Sequence, residues 1–276
     1  MNPSVWPKLT AGALILAALI AWPAPAFAKI LKTRRPVKKG QPHELLLDFG
    51  SGFEYERDSE HTESGYPFLL EYGFTNTFKI TVEPSYVSIN SSETGSTRGL
   101  GDLETGFEWE FLPERRYRPA LAMEGIVKWP TAARGEIGTG ETDYTLGAIV
   151  SKEFVHFDTD FNASYTKVGS PPGFHLQDTL EVSLAAEWHI SRIIDIEAEF
   201  VTTHGSGGFR GQTGTLGGLG GIPSAGLGPV GNESEWTLGL AEHVNDFLKF
   251  EEGGIIKSDG SWQFVFAWEY DFAGGR

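Results

Sequence analysis

A two-residue alternation of apolar and polar side chains runs through most of this chain, and it restricts the fold more than any other feature of the sequence. The final block shows the alternation best, since an aromatic residue occupies every second position from Trp262 to Phe272. Successive side chains of a strand point to opposite faces, so this period predicts strands with one apolar and one polar face. The pattern indicates an all-β chain.

Similar blocks, each of about ten residues, recur from Glu44 onward, as barrel strands do. In several of them carboxylates occupy the face opposite the aromatic residues. From these blocks we predict about twelve strands, an even number that is typical of outer-membrane barrels. Their predicted ranges are 44–56, 66–75, 78–89, 101–111, 118–129, 143–154, 157–167, 178–189, 193–204, 234–244, 248–256 and 261–272.

The connections between these blocks alternate in length. Long connections are predicted at 57–65, 90–100, 130–142, 168–177 and 205–233, and short ones near Asn76, Val155, Ile190 and Asn245. Outer-membrane barrels show this alternation, because their periplasmic turns are short and their outer loops are long. Two connections depart from it, since 112–117 is of medium length and 257–260 is short.

The predicted fold is a closed antiparallel transmembrane β-barrel that forms one domain over residues 44–276. In lipid every backbone polar group needs an internal partner, so a sheet that spans a membrane must close and leave no edge. A soluble sandwich, such as a lectin-like or carbohydrate-binding domain, would bury the aromatic face in its core instead. The alternation by itself leaves both folds open.

The first 28 residues indicate a secretory signal peptide, with Lys8 as their only charge, an apolar run at 11–22 and small residues around Phe27. The alternative is a membrane anchor, although the apolar run is shorter than the ~20 residues that a spanning helix needs. Residues 29–43 form a basic segment that we predict to be periplasmic. This segment is either a disordered tail or an electrostatic plug for the periplasmic mouth.

Composition and export restrict the possible locations and partners. The chain has no cysteine, which excludes a disulfide-stapled domain and thiolate metal sites, and its formal net charge of −15 argues against a nucleic-acid partner. Together with the predicted strands, these features place the chain in the bacterial outer membrane. The expected partners are outer-membrane lipid and lipopolysaccharide, the outer-membrane assembly machinery and a small-molecule solute, and we expect a monomer.

Several short motifs resemble a known family. They are Gly99-Leu100-Gly101-Asp102-Leu103, Pro119-Ala120-Leu121-Ala122, Lys128-Trp129-Pro130-Thr131, and Gly138-Thr139-Gly140 ahead of Asp143-Tyr144. With these motifs the chain resembles the putative outer-membrane transporters called the MetA-pathway of phenol degradation family. The resemblance implies an outer-membrane barrel that transports aromatic compounds, and it carries no catalytic residues. Ala132 stands where such chains have glycine after Pro-Thr, which affects the geometry of that turn.

The interior of the predicted barrel is acidic. If the aromatic residues face lipid, the inward set that forms the predicted solute path includes Asp48, Glu71, Glu83, Asp102, Glu104, Glu108, Glu124, Asp158, Asp160, Glu181, Glu187, Asp195, Glu197, Glu199 and Glu269. The inward bases are chiefly Lys79 and Lys128. A lumen lined by carboxylates favours cations or neutral solutes over anions. The alternative is that these acids pair with lysine or arginine or share protons.

We therefore predict a passive outer-membrane channel for small solutes, possible substrates being aromatic or hydrophobic compounds. A barrel without conductance, used for structure or surface interaction, is the alternative. The glycine-rich stretch 205–231 is either a flexible outer loop or a gate at the mouth.

An enzyme is not expected. His204-Gly205-Ser206-Gly207-Gly208 is similar to the His-x-Ser-Asn-Gly segment of outer-membrane phospholipase A, but Gly207 replaces the asparagine of that family, and acyl transfer also needs a residue that orients the histidine. The remaining histidines show no metal-ligand spacing, so we predict neither a metal site nor a cofactor. They are His43, His61, His156, His175, His189 and His243.

Overall fold

The computed structural model describes residues 46–271, with gaps at 58–60, 92–94, 134, 136, 174, 207–208, 211–225, 228–230 and 246–247. The signal peptide, the basic segment 29–43 and most of the stretch 205–231 lie outside the described residues, so the predictions for them stay predictions. No helix long and apolar enough to cross a membrane occurs in the described part of the chain.

All regular structure in the described residues is β. The strands are β1 (Leu46–Arg57), β2 (His61–Thr75), β3 (Phe78–Glu83), β4 (Ser85–Ser91), β5 (Gly95–Leu100), β6 (Leu103–Leu112), β7 (Ala120–Trp129), β8 (Asp143–Glu153), β9 (Phe157–Lys167), β10 (Thr179–His189), β11 (Ile194–Ser206), β12 (Phe209–Arg210), β13 (Gly226–Leu227), β14 (Gly231–His243), β15 (Leu248–Lys257) and β16 (Trp262–Asp271).

Fourteen of these strands form one antiparallel sheet, in the order β1-β16-β15-β14-β11-β10-β9-β8-β7-β6-β3-β2-β4-β5. Strand β1 pairs with β16 and also with β2. Asp48, for example, lies opposite Asp271 on one side and opposite Glu71 on the other. Both edges of the first strand are therefore hydrogen-bonded. Strands β12 and β13 form a separate two-stranded sheet.

Two of the long strands are interrupted. Strand β2 pairs with β3 along 70–75 and with β4 along 61–67, and β3 and β4 are separated by Pro84, which has no N–H for the ladder. Strands β5 and β6 are likewise separated by Gly101 and Asp102, and they pair with β4 and β3 respectively. When each interrupted pair is counted as one strand, the fourteen strands of the large sheet reduce by two, to the number expected from the sequence.

Three predicted connections are wrong in part. Within the connection predicted at 205–233, the structure has β12, β13 and the first residues of β14. The sequence predicted loops at 57–65 and 90–100, but β2 begins at His61, β4 continues to Ser91 and β5 begins at Gly95. The segments 57–65 and 90–100 are polar, so they show no aromatic alternation. Backbone pairing of β4 with β2 and with β5 forms the strands there, and side-chain pattern cannot reveal such pairing.

The two faces of the sheet differ in an unusual way. Along β10 the buried positions include Glu181 and Glu187, and the exposed positions include Leu184 and Trp188. The same division holds across the sheet, where large apolar side chains are exposed and many carboxylates are buried. A soluble sandwich buries its apolar face. The soluble alternative therefore does not fit the observed distribution.

Small apolar clusters occur on the buried face. Ile255 and Val265 are in contact on neighbouring strands, with Leu69 packed against them. A second cluster joins Val87 and Ile89 of β4 with Ile137, which belongs to the connection between β7 and β8. This connection therefore folds back against the buried face at the end of β4.

The extended β4–β5 hairpin can be tested by cross-linking, because the chain has no native cysteine. Asn90 and Ser96 are register partners, so their Cα atoms should be about 4.5–5.5 Å apart, within the range for a disulfide. We expect the Asn90→Cys, Ser96→Cys double variant to form an intramolecular disulfide under mild oxidation, measured by mobility on a non-reducing gel.

The matched control is Asn90→Cys with Thr97→Cys, because Thr97 pairs with Ile89 and points to the other face. A flexible loop at these positions would cross-link both pairs to similar extents, and that result would contradict the extended hairpin.

Candidate functional site

Fourteen of the fifteen acids predicted from the sequence lie on the face opposite the exposed aromatic side chains. Ten of them are buried: Asp102, Glu108, Glu124, Asp158, Asp160, Glu181, Glu187, Asp195, Glu197 and Glu199. Glu71, Glu83, Glu104 and Glu269 are half-buried. Asp48 lies in β1, and its side chain is outside the described residues. We call this surface of the sheet the acidic face.

Strand register brings several of these acids directly opposite one another. Glu108 of β6 lies opposite Glu124 of β7. Asp158, Glu187 and Glu197 form a row across β9, β10 and β11. Like charges in such positions repel, so each row needs compensation by a base, by shared protons, by water or by a bound cation.

Three lysines supply part of that compensation. Lys79 Nζ lies 3.1 Å from Glu71 Oε1 and 3.4 Å from Glu108 Oε2. Lys249 Nζ lies 3.2 Å from Glu197 Oε1 and 2.6 Å from Glu251 Oε1. Lys79 was expected from the sequence, whereas Lys249 was missed.

Lys128 is the third lysine, and it anchors a cluster at the end of β7. Its Nζ atom lies 2.6 Å from Asp143 Oδ2 and 3.8 Å from Asp102 Oδ2. The same Nζ donates a 3.4 Å hydrogen bond to Thr139 Oγ1, and Asp102 Oδ1 accepts a 2.8 Å hydrogen bond from the backbone N–H of Ala132. These groups hold the β7–β8 connection against the acidic face.

The motifs that resemble the transporter family meet at this cluster. Asp102, Lys128 and Thr139 come from three different motifs and are in contact. A Cβ atom on Gly138 would lie 2.6 Å from Ala132 Cβ and 2.7 Å from Asp102 Oδ2, so the close approach requires glycine. The motifs therefore fix the conformation of the connection.

Asp178 precedes β10 at the same end of the sheet as this cluster. Its carboxylate accepts a 2.5 Å hydrogen bond from the Tyr165 hydroxyl and a 3.0 Å hydrogen bond from Lys167 Nζ. These bonds, the first being the stronger cause, lower the pKa of Asp178. The carboxylate therefore stays charged where it ties the end of β9 to the following connection.

The residues of the phospholipase alternative lie elsewhere. His204 is exposed and pairs with Leu180, on the face opposite the acids. The side chain of Ser206 and the whole of Gly207 are outside the described residues, so that alternative stays a prediction.

Comparisons with known proteins identify the fold. No protein-family model matches the chain, and no curated protein matches it. Its structure is similar to the crystal structure of an outer membrane channel from Pseudomonas putida F1, with a TM-score of 0.65 and 10% identity over 86% of this chain and 100% of that chain.

Two porins also share the architecture. KdgM porin has a TM-score of 0.52 and 8% identity, covering 81% of this chain and 99% of that chain. NanC porin has a TM-score of 0.51 and 8% identity, covering 81% of this chain and 98% of that chain. At such low identities the similarity shows the fold alone, and that fold is the one found in these outer-membrane channels and porins.

The Lys128 cluster allows a stability prediction. Removing the lysine leaves Asp102 and Asp143 buried without this cation, so we expect Lys128→Met to lower the free energy of unfolding by about 3–5 kcal/mol. Urea unfolding in detergent, followed by tryptophan fluorescence, measures the change.

The matched control is Lys167→Met, because Lys167 forms an exposed pair with Asp178. We expect this variant to unfold at the wild-type urea concentration. Equal behaviour of the two variants would contradict a structural role for the Lys128 cluster.

Proposed function

We propose that this chain is a bacterial outer-membrane β-barrel that acts as a passive channel for small solutes. The observation that carries the proposal is the exposure of the aromatic face together with the burial of the acidic face. An exposed apolar face of this extent needs an apolar solvent, and lipid supplies it. The similarity of fold to outer-membrane channels and porins supports the same location.

Closure of the sheet is part of this proposal. The pairing of β1 with both β16 and β2 supports a cylinder, because it leaves neither edge of that strand without hydrogen bonds. When β3 with β4 and β5 with β6 are each counted as one strand, the barrel has about twelve strands. This is an even number, as in bacterial outer-membrane barrels. The start of β1 and the end of β16 lie on the side of the short turns, which is the periplasmic side in such proteins.

The acidic face is proposed as the wall of the solute path. It carries fourteen of the fifteen acids predicted from the sequence, and three lysines there each contact two carboxylates. A path with this excess of negative charge concentrates cations and repels anions. We therefore propose that the channel passes cations or neutral solutes in preference to anions.

Aromatic or other hydrophobic compounds are proposed as substrates through the resemblance to the phenol-degradation transporters. The meeting of three of the family's motifs at Asp102, Lys128 and Thr139 supports the resemblance, because it gives those motifs a common structural role. Outer-membrane lipid, lipopolysaccharide and the assembly machinery are the proposed partners, and the proposed state is a monomer. The alternative is a non-conducting barrel, and the next experiment distinguishes it from a channel.

Planar-bilayer recording tests the channel and its selectivity. Purified protein should give discrete conductance steps, and in a tenfold gradient of KCl the reversal potential should have the sign of cation selectivity, with an upper limit of about 59 mV. Absence of steps would favour the non-conducting barrel, and a reversal potential of opposite sign would contradict the cation preference.

Two neighbouring glutamates provide a matched pair of variants. Glu251 is buried on the acidic face, whereas Glu252 is exposed on the other face. We expect Glu251→Gln to move the reversal potential toward zero and Glu252→Gln to leave it at the wild-type value. Equal effects of the two substitutions would show that the acidic face does not line the path.

A further inference from the structure

Two histidines join the acidic face where β10 and β11 meet. The tight turn between these strands, in which Ile190 and Ser191 donate backbone hydrogen bonds to the carbonyl of Ile194, places His189 opposite Asp195. His243 at the end of β14 donates its backbone N–H to the carbonyl of Ile193 and so lies beside them. Three separate strand ends therefore contribute to one cluster.

The atoms of this cluster are arranged as metal ligands. Asp195 Oδ1 lies 3.1 Å from His189 Nδ1, and Glu187 Oε1 lies 3.9 Å from the same nitrogen. One ligand atom from each of these three residues lies within 4.8 Å of the other two. Ligands that bind Zn²⁺ tetrahedrally at about 2.0–2.1 Å are about 3.3 Å apart, so small side-chain movements suffice for binding.

Two further contacts orient the potential ligands. His189 Nε2 lies 3.3 Å from Asp158 Oδ2, so its Nε2–H can be donated to that carboxylate while Nδ1 binds a metal ion. His243 Nε2 lies 2.7 Å from Asp195 Oδ2, which fixes the carboxylate through its other oxygen. Metal-binding histidines commonly donate the N–H of their second ring nitrogen to a carboxylate in this way.

Charge and access also favour a cation. Asp158, Glu187 and Asp195 bring three carboxylates to two imidazoles, so a divalent ion would reduce the net negative charge. The side chains of His189 and His243 are 34% and 22% exposed, so an ion can reach them from solvent. The cluster therefore carries carboxylates that attract a cation, and its histidines are accessible to that cation from solvent.

We propose that Glu187, His189 and Asp195 bind one divalent transition-metal ion, with Asp158 and His243 as positioning residues. The mixture of imidazole nitrogen and carboxylate oxygen favours Zn²⁺, Co²⁺ or Ni²⁺ over Mg²⁺ and Ca²⁺, which prefer oxygen ligands alone. This site does not depend on the proposed channel, because a barrel without conductance would present the same groups.

Titration calorimetry with ZnCl₂ on the detergent-solubilised protein at neutral pH tests the site. We expect one saturable high-affinity ion per chain in the wild type. His189→Gln should weaken that binding at least tenfold, and Asp158→Asn should weaken it by about 10–100-fold through loss of orientation. Visible absorption of bound Co²⁺ should decrease in parallel, which distinguishes direct ligation from adsorption to acidic groups.

The matched control is His156→Gln, at the neighbouring turn. The side chain of His156 is exposed, and its backbone carbonyl accepts the N–H of His189, so the substitution removes a nearby imidazole and keeps that contact. This variant should bind zinc as the wild type does. Heat-modifiable migration on a gel verifies that each variant is folded.

If the wild type shows no saturable zinc binding, the proposal is wrong, whatever the variants do. Equal affinity of folded His189→Gln and wild type would overturn it too. Zinc binding by a protein that gives no conductance steps would support the metal site while contradicting the channel, so the two proposals can fail separately.

Discussion

Backbone hydrogen bonding along both edges of β1 is the interaction on which the rest of the structure depends. Residues of this strand pair with β16 on one side and with β2 on the other. In lipid an unpaired strand edge would cost several kcal/mol for each exposed N–H or carbonyl group, and this pairing removes that cost for the first strand. In the proposed barrel the two faces of the sheet become an inner and an outer face, so the alternation along each strand determines which side chains share an environment.

The acidic face combines crowded carboxylates with few bases. Lys79 and Lys249 lie near the start of strands that follow short turns, whereas Lys128 lies at the end of β7, where a long connection begins. Each of the three contacts two carboxylates. The lysines thus hold together acids from different strands, and the row of Asp158, Glu187 and Glu197 is contacted by Lys249 and His189. The carboxylates of the acidic face underlie both the proposed cation preference and the proposed metal site.

Much of the fold could be predicted from the alternation, because a strand whose two faces lie in different environments has apolar and polar residues at alternate positions. The range predicted for 157–167 agrees with β9 at both ends. The same reasoning failed at 61–65 and 95–100, since those strands are held by backbone pairing among polar residues and glycines. Lys249 could have been predicted as an inward base from the alternation. It lies two positions before buried Glu251 on β15, so the two side chains share a face.

The clusters could not be predicted in the same way, because they depend on register. Lys128 and Asp143 are register partners on β7 and β8, although their motifs are separate in the sequence. His189 and Asp195 are six positions apart, and only the tight turn between β10 and β11 makes them neighbours. Spacing rules for metal ligands usually concern one helix or one loop, so they did not single out this pair.

The assignment of the two faces can be measured directly by spin labelling along β10 in lipid vesicles. Single cysteines introduced from Leu180 to Trp188 would carry a nitroxide, and the absence of native cysteine makes each label unique. We expect collision with dissolved oxygen, which is concentrated in lipid, to peak at Leu180, Leu184 and Trp188 and to be low at Glu181, Ser183 and Glu187. Peaks at the acidic positions, or no two-residue period, would contradict an aromatic face in lipid and an acidic face inside.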